Sequence, residues 1–274
     1  MGIIVGIDVG GSTTKIAGVK AGKVISPMMT RATDPIASLY GAFGKFTSEN
    51  GIALGDIERL VVTGVGSVFA GDEIFGLPAD HVSEFVAIGR GGSYLSGLDR
   101  ALVVSMGTGT AMVYYENGVA EHMGGTGVGG GTLVGLAKKL IGTSDVSAIE
   151  ELAESGNINH IDLKVNDMTE KDIGPTLPSS LTASNFGKTG DLVGSEDIAA
   201  GLINMIYETV AVISRFAASG KGVKDIVLTG RLSALRSAKE AFRILGDTFG
   251  VSFIVPDNSE YATVIGAALT CFGK

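Results

Sequence analysis

The residues best suited to chemistry stand near the start of the chain. Asp8 lies within an apolar run, Ile3–Val9, and is followed by Gly10, Gly11, Ser12, Thr13, Thr14 and Lys15. An ionised carboxylate in such a run is costly unless it has a partner. Two glycines let backbone N–H groups approach phosphate oxygens, and Ser12 and Thr13 add hydroxyls. Lys15 can neutralise the charge, and Asp8 can hold a hydrated Mg2+. An ordinary Gly-Gly hairpin with a solvated lysine would use the same residues but leave Asp8 unexplained. A second strand opens into a similar turn at Val103-Val104-Ser105-Met106-Gly107-Thr108-Gly109-Thr110, a weak match by itself. A third segment, Gly124–Thr132, carries six glycines, among them Gly127, Gly129, Gly130 and Gly131, into a helix start. There, unpaired N–H groups and the helix dipole favour an anion. A fourth, Leu228-Thr229-Gly230-Arg231, would suit an adenine or ribose contact, or simply join a strand to a helix.

Two look-alike motifs fail on context. Gly125-x-Gly127-x-x-Gly130, with Glu150 downstream, matches a dinucleotide fingerprint. The strand before it, however, is the return arm of a hairpin, and no parallel strand follows. Gly187-Lys188-Thr189 resembles the end of a P-loop, but Thr182 stands where the first glycine is required.

These segments need elements to hold them. Ile3–Val9, Lys15–Val19 and Lys23–Ile25 read as a β-meander with a turn at Ala21-Gly22, followed by a helix over Ile36–Ser48 and a strand at Leu60–Thr63. Pro78–Ser83 reads as a loop, with Ser83 capping a helix that runs to about Gly97. The meander then repeats: Ala101–Met106, Thr110–Tyr115, and Val119–Met123 after an Asn117-Gly118 hairpin turn. Helices are expected at Gly130–Ile141 and Val146–Glu154, with residues 156–195 polar and irregular. Glu196–Ser219 reads as a long, deeply buried helix, apolar nearly all round through Leu202, Ile203, Ile206, Val210, Ile213 and Phe216. A strand at Asp225–Thr229, a helix at Leu232–Gly246, a strand at Val251–Val255 and a helix at Glu260–Phe272 complete the chain. The expected fold is α/β with two similar lobes, residues 1–98 and 99–274, and a cleft between them.

Composition narrows the function. The chain has 274 residues, 21 Lys+Arg against 29 Asp+Glu, and a net charge of −8. With pI near 4.9, nothing draws it to nucleic acid by counterion release. Cys271 is the single cysteine, beside only His81, His122 and His160, so neither a disulfide nor a structural metal cluster is expected. No stretch is expected to reach the roughly 18 apolar residues of a membrane span. The opening MGIIVGIDVGG lacks a signal peptide's basic region, and Gly6 stands where myristoylation needs a hydroxyl. A soluble cytoplasmic protein, with no membrane or nucleic-acid partner, is the expectation.

Two phosphate loops on duplicated lobes, with an adenosine turn downstream, resemble the actin-like (ribonuclease H-like) superfamily of ATPases and sugar kinases, in which ATP lies in the cleft between the lobes. Within it, the sequence is most similar to the type II pantothenate kinases. The resemblance rests on Asp8–Lys15, on Gly124–Thr132 followed by Leu133-Val134-Gly135-Leu136, on Ala183-Ser184-Asn185-Phe186-Gly187, and on Glu260-Tyr261 leading to Ile265-Gly266-Ala267. It implies ATP with Mg2+ as cosubstrate and phosphorylation of the pantothenate hydroxyl to 4'-phosphopantothenate, the first step towards coenzyme A. It also implies a homodimer in which the 196–219 helix takes part.

Residue by residue, it implies nucleotide contacts at Asp8, Gly10, Gly11, Ser12, Thr13, Lys15, Thr108, Gly127, Gly129, Gly130, Gly131, Gly230 and Arg231. It places Ser105, His122, Ala183 and Tyr261 around the acceptor, and Asp8 on the metal, through water. Glu84, in His81-Val82-Ser83-Glu84-Phe85, matches the family's general base. By position alone, Glu84 serves the helix dipole equally well. The chain departs from the family at His122, where an arginine usually holds the substrate, and at Arg231, where a small or amide residue is usual.

The rival readings are a kinase of the same fold acting on pantetheine or an amino sugar, and an ATP-binding switch without turnover. Amino-sugar kinases generally carry an aspartate base in an Asn-x-Asp context and often a Cys/His zinc cluster. The switch-like activators of 2-hydroxyacyl-CoA dehydratases use paired cysteines for an iron–sulfur cluster, and Cys271 is alone.

Overall fold

A computed structural model describes residues 2–31, 34–169, 179, 181–188, 190 and 193–272. The chain opens with a meander of β1 (Ile3–Val9), β2 (Thr13–Lys20) and β3 (Lys23–Arg31), then α1 (Pro35–Asn50), β4 (Ile57–Thr63), β5 (Glu73–Ile74), β6 (Leu77–His81) and α2 (Glu84–Ser96). A second meander follows in β7 (Arg100–Met106), β8 (Thr110–Glu116) and β9 (Val119–Thr126), then α3 (Gly130–Leu140) and α4 (Val146–Ser155). The remainder is β10 (Leu163–Lys164), α5 (Val165–Met168), β11 (Thr182–Ser184), α6 (Ser195–Gly220), β12 (Asp225–Thr229), α7 (Ala238–Phe249), β13 (Ser252–Ile254) and α8 (Ala262–Leu269).

The duplication expected from the two meanders is plain in the topology. The first sheet runs β3-β2-β1-β4-β6-β5 and the second β9-β8-β7-β12-β13. In each, an antiparallel meander is extended by two parallel strands beyond its first member, and the two-residue β5 adds antiparallel at the edge of the first sheet. Equivalent positions share register: Asp8 faces Thr63 across β1 and β4, and Ser105 faces Thr229 across β7 and β12.

Two helices lie between the sheets. α8 places Val264, Ile265, Ala267 and Ala268 against Ile4, Ala17 and Val61 of the first sheet, whereas α2 places Ile88 against Ala101, Val103 and Val113 of the second. α1 covers the outer face of the first sheet through Leu39, Phe43 and Phe46. α6, with α3, α4 and α7, covers the outer face of the second. α2 and α8 cross with their backbones almost touching. A Cβ on Gly91 would meet the Ala262 carbonyl, and one on Gly266 would meet the Ala87 carbonyl. Backbone cannot give way as a flexible side chain would. Gly266→Ala is therefore expected to cost about 3 kcal/mol or more, read as a lowered urea midpoint with an unchanged slope.

The structure corrects five readings of the sequence. Pro78–Ser83 is not a loop: β6 runs parallel to β4 with Leu60 beside Ala79 and Val62 beside His81. Pro78 is tolerated because its neighbour β5 is only two residues long. The helix expected from Leu232 is instead a 3-10 turn over Arg231–Ala234, with α7 starting at Ala238. There the Ser233 hydroxyl bonds the Gly230 carbonyl at 2.7 Å and Ser259 Oγ at 2.8 Å, tying the turn down.

α6 is buried through Leu202, Ile203, Ile206 and Val210, but Phe216 is 64% exposed. Among the described residues, α6 is also the one helix long and apolar enough to span a bilayer, contrary to expectation, although just over half of that stretch is buried in the fold. Ser83 does sit at the N-cap of α2, but its side chain makes no capping bond.

Candidate active site

The site begins as a row of side chains across the first sheet. Residues paired across neighbouring strands point to the same face. Lys15 of β2, Asp8 of β1 and Thr63 of β4 are therefore neighbours on the face that carries α8. Asp8 is 7% exposed and Lys15 8%. Lys15 Nζ stands 4.0 Å from Asp8 Oδ2, and the carboxylate has no hydrogen bond among the described residues. Burial pushes the Asp8 carboxyl above its usual range, with Lys15 opposing the shift.

Glu84, the first residue of α2, belongs to the same electrostatic unit. Burial raises its carboxyl first, the charge of Asp8 raises it further, and Lys15 pulls it back. One lysine thus serves two carboxyl groups in a poorly solvated volume. Such a site lacks positive charge and gains from a cation. Among the described residues, no group of three or more His, Cys, Asp or Glu could grip an ion directly. The chemistry of this donor set, a buried carboxylate short of positive charge, would suit a hydrated cation held through water.

The first loop leaves donors open. The Gly10 N–H closes the turn onto the Thr13 carbonyl at 3.0 Å, while Gly11 and Ser12 are exposed. The glycine run behaves differently from expectation. The Gly130 N–H donates to the Gly107 carbonyl and the Gly131 N–H to the Thr108 carbonyl, both at 2.8 Å. The Gly129 N–H reaches Thr132 Oγ1 at 3.3 Å. The amides that were to be free for an anion are spent joining the run to the loop between β7 and β8. Gly127 is exposed, with nothing within 4 Å of where a Cβ would stand, and Thr108 is exposed. The Gly230 N–H donates to the Ser259 carbonyl at 3.0 Å, bringing Gly230 and the exposed Arg231 beside the turn that contains Tyr261. Burial raises the Tyr261 hydroxyl above its usual range. Ser105 is buried at the end of β7.

His122, on β9, lies flat against Phe85 with ring centroids 3.8 Å apart and planes 13° from parallel. Phe85 follows Glu84 at the start of α2. Ala183 stands apart. It lies exposed on the β10–β11 ribbon, which is tied to α6 by Thr182 Oγ1 and Asn185 Nδ2 on the Glu208 carboxylate at 2.7 and 3.0 Å. No contact among the described residues joins Ala183 to Glu84 or His122.

Sequence reasoning passed over Thr63 and Phe85. For Thr63 a signal existed. Thr63-Gly64 and Thr229-Gly230 both end a strand at a glycine with φ near +87° and lead into a 3-10 turn.

Two sheets of one topology, with glycine loops at their strand ends and helices exchanged between them, define the fold of the actin-like ATPases and sugar kinases. The activator of 2-hydroxyisocaproyl-CoA dehydratase from Clostridium difficile, solved with bound ADPNP, matches at TM-score 0.71 and 19% identity, over 98% of this chain and 94% of that one. A ROK family glucokinase from Streptomyces griseus, in complex with glucose and AMPPNP, matches at TM-score 0.60 and 14% identity, over 97% and 98%.

The family is set by sequence. The chain belongs to the type II pantothenate kinases: the Fumble family model matches residues 100–252. The type II pantothenate kinase of Oceanobacillus iheyensis is 31% identical over 276 residues, covering 97% of this chain and 98% of that protein. That of Staphylococcus aureus is 31% identical over 225 residues, covering 77% and 82%.

Proposed function

We propose that this protein transfers the γ-phosphoryl group of ATP to the hydroxyl of pantothenate. The observation that carries this reading is the group of buried Asp8 and Lys15 beside half-buried Glu84, in which burial raises both carboxyls, Asp8 raises Glu84 further and Lys15 draws both back. Lys15 and the exposed backbone at Gly11 and Ser12 bind the phosphates, and Asp8 orients the water around Mg2+, which would neutralise charge on the phosphoryl oxygens when bound. Glu84 takes the proton from the acceptor hydroxyl; its raised pKa brings its basicity closer to that needed at neutral pH. His122, Ser105, Tyr261 and Ala183 are assigned to the acceptor, and Thr108, Gly127, the Gly129–Gly131 run, Gly230 and Arg231 to the nucleotide. The reading includes a homodimer with the exposed Phe216 edge of α6 at its contact, a cytoplasmic setting, and no nucleic-acid or membrane partner. An ADP-release assay across pantothenate, pantetheine and several amino sugars tests it; turnover confined to an acceptor other than pantothenate would overturn it.

His122 sharpens the acceptor assignment. A guanidinium makes a charge-assisted fork about twice as strong as a neutral hydrogen bond, and it too can stack on Phe85. His122→Arg is therefore expected to lower KM for pantothenate with little change in kcat, the mark of uniform binding. A KM that stays level or rises would show that His122 serves a different acceptor end.

A further inference from the structure

Beside Asp8 lies a donor without an acceptor. Thr63 is completely buried, and its hydroxyl has no hydrogen-bond partner. It faces Asp8 directly in register, and Asp8 is an acceptor without a donor. The next residue, Gly64, closes on the carboxylate from the same side: a Cβ there would strike Asp8 Oδ1. In the second sheet the equivalent threonine is satisfied, since Thr229 Oγ1 donates to the Val104 carbonyl at 3.3 Å. The fold thus offers this position a backbone acceptor, and Thr63 does not use its own. The other orphaned hydroxyl, Thr14, pairs with Val9 and so faces α1, away from Asp8.

We propose that the Thr63 hydroxyl is a positioning group for the hydrated divalent cation that accompanies ATP, bonding a water of its shell and fixing that shell against Asp8. The inference rests on the nucleotide reading of the Asp8 loop given above. Thr63 touches no reacting atom; it acts through the water and Asp8.

The test uses the whole chain carrying Thr63→Val, Thr63→Ser, Thr14→Val or Asp8→Asn. Valine keeps the branched shape and removes only the orphan hydroxyl, so without nucleotide or metal Thr63→Val and Thr14→Val should melt at or above the wild-type temperature. Calorimetric titration of ADP at a series of Mg2+ concentrations gives the second readout. Thr63→Val should need about tenfold more Mg2+ for half-maximal enhancement of ADP binding. Thr63→Ser should restore the wild-type requirement, and Thr14→Val should leave it unchanged. A wild-type Mg2+ requirement in Thr63→Val, a lack of rescue by serine, or a lowered melting temperature for Thr63→Val without ligands would overturn the proposal. Asp8→Asn separates the two levels. If it raises the Mg2+ requirement while Thr63→Val does not, only the role of Thr63 falls; if neither does, the nucleotide reading of the loop falls with it.

Discussion

Glu84→Gln is expected to lower kcat by about 10²–10⁴-fold while leaving MgATP affinity close to that of the wild type. The amide keeps the side chain's length and its place at the start of α2, but it has no lone pair basic enough to take the acceptor's proton. The electrostatics add a second signature. Burial and the neighbouring Asp8 raise the Glu84 carboxyl above the ordinary glutamate range, and a base must be ionised to work. Wild-type activity should therefore fall as pH drops through that raised pKa, at a higher pH than a solvated glutamate would give. In Glu84→Gln the residual activity should lose this acid limb. Single-turnover measurements across pH, with ATP binding measured in parallel, check both parts. Wild-type turnover in the variant would remove Glu84 from catalysis and leave it a helix-dipole residue.

The second large effect lies at the other two members of the group, where the variants should move the pH profile in opposite directions. Asp8→Asn removes a negative charge that raises Glu84, so the acid limb should shift to lower pH; the Mg2+ requirement should rise at the same time. Lys15→Met removes the charge that holds Glu84 down, so the limb should shift to higher pH with the Mg2+ requirement little changed. Each should cost about 10²–10³-fold in kcat, the usual loss when one fixed charge or donor is taken from a transferring phosphoryl group. Methionine keeps the buried length of the Lys15 stem, which limits the loss of packing. Steady-state rates over a grid of pH and Mg2+ would resolve the pair. Limbs that moved the same way, or not at all, would show that the three side chains do not form one electrostatic unit.

Much of this was written locally in the chain. The two meanders announced themselves through short apolar runs punctuated by glycine and an Asn-Gly turn, and the sheets confirm both. Asp8 stood out because a carboxylate in an apolar run needs a reason. What stayed hidden depends on pairing between distant segments. Thr63 matters through the alignment of β4 with β1, which no local pattern encodes. Phe85, on α2, matters through its ring contact with His122 on β9. The glycine run from Gly124 to Gly131 reads as a set of free donors, because a sequence shows residue types and not where their amides go. The tertiary fold spends the Gly130 and Gly131 amides on the neighbouring loop. Pro78 argued for a loop by its chemistry alone, and the parallel pairing with β4 outweighed it. At α6 the apolar composition points to burial on every side, but a helix pressed on one side against a sheet leaves Phe216 on the other.

The exchange of α2 and α8 between the sheets bears on how the molecule is made and unmade. The inner face of the first sheet is covered by residues as late as Leu269, so Ile4 and Ala17 have no partner while the ribosome is still making the intervening chain. The inner face of the second sheet, in turn, is covered by a helix that precedes it. Neither half can complete its core alone, and the long loops that must close make the final docking slow. The nascent chain carries an uncovered apolar sheet for most of its synthesis, the period in which aggregation competes with folding. The same interlock predicts that the two sheets lose their cores together when α2 or α8 detaches. Loosening α8 by strain at its far end would expose the strands that carry Asp8 and Lys15, linking the proteolytic lifetime of the chain to the integrity of its phosphate loop.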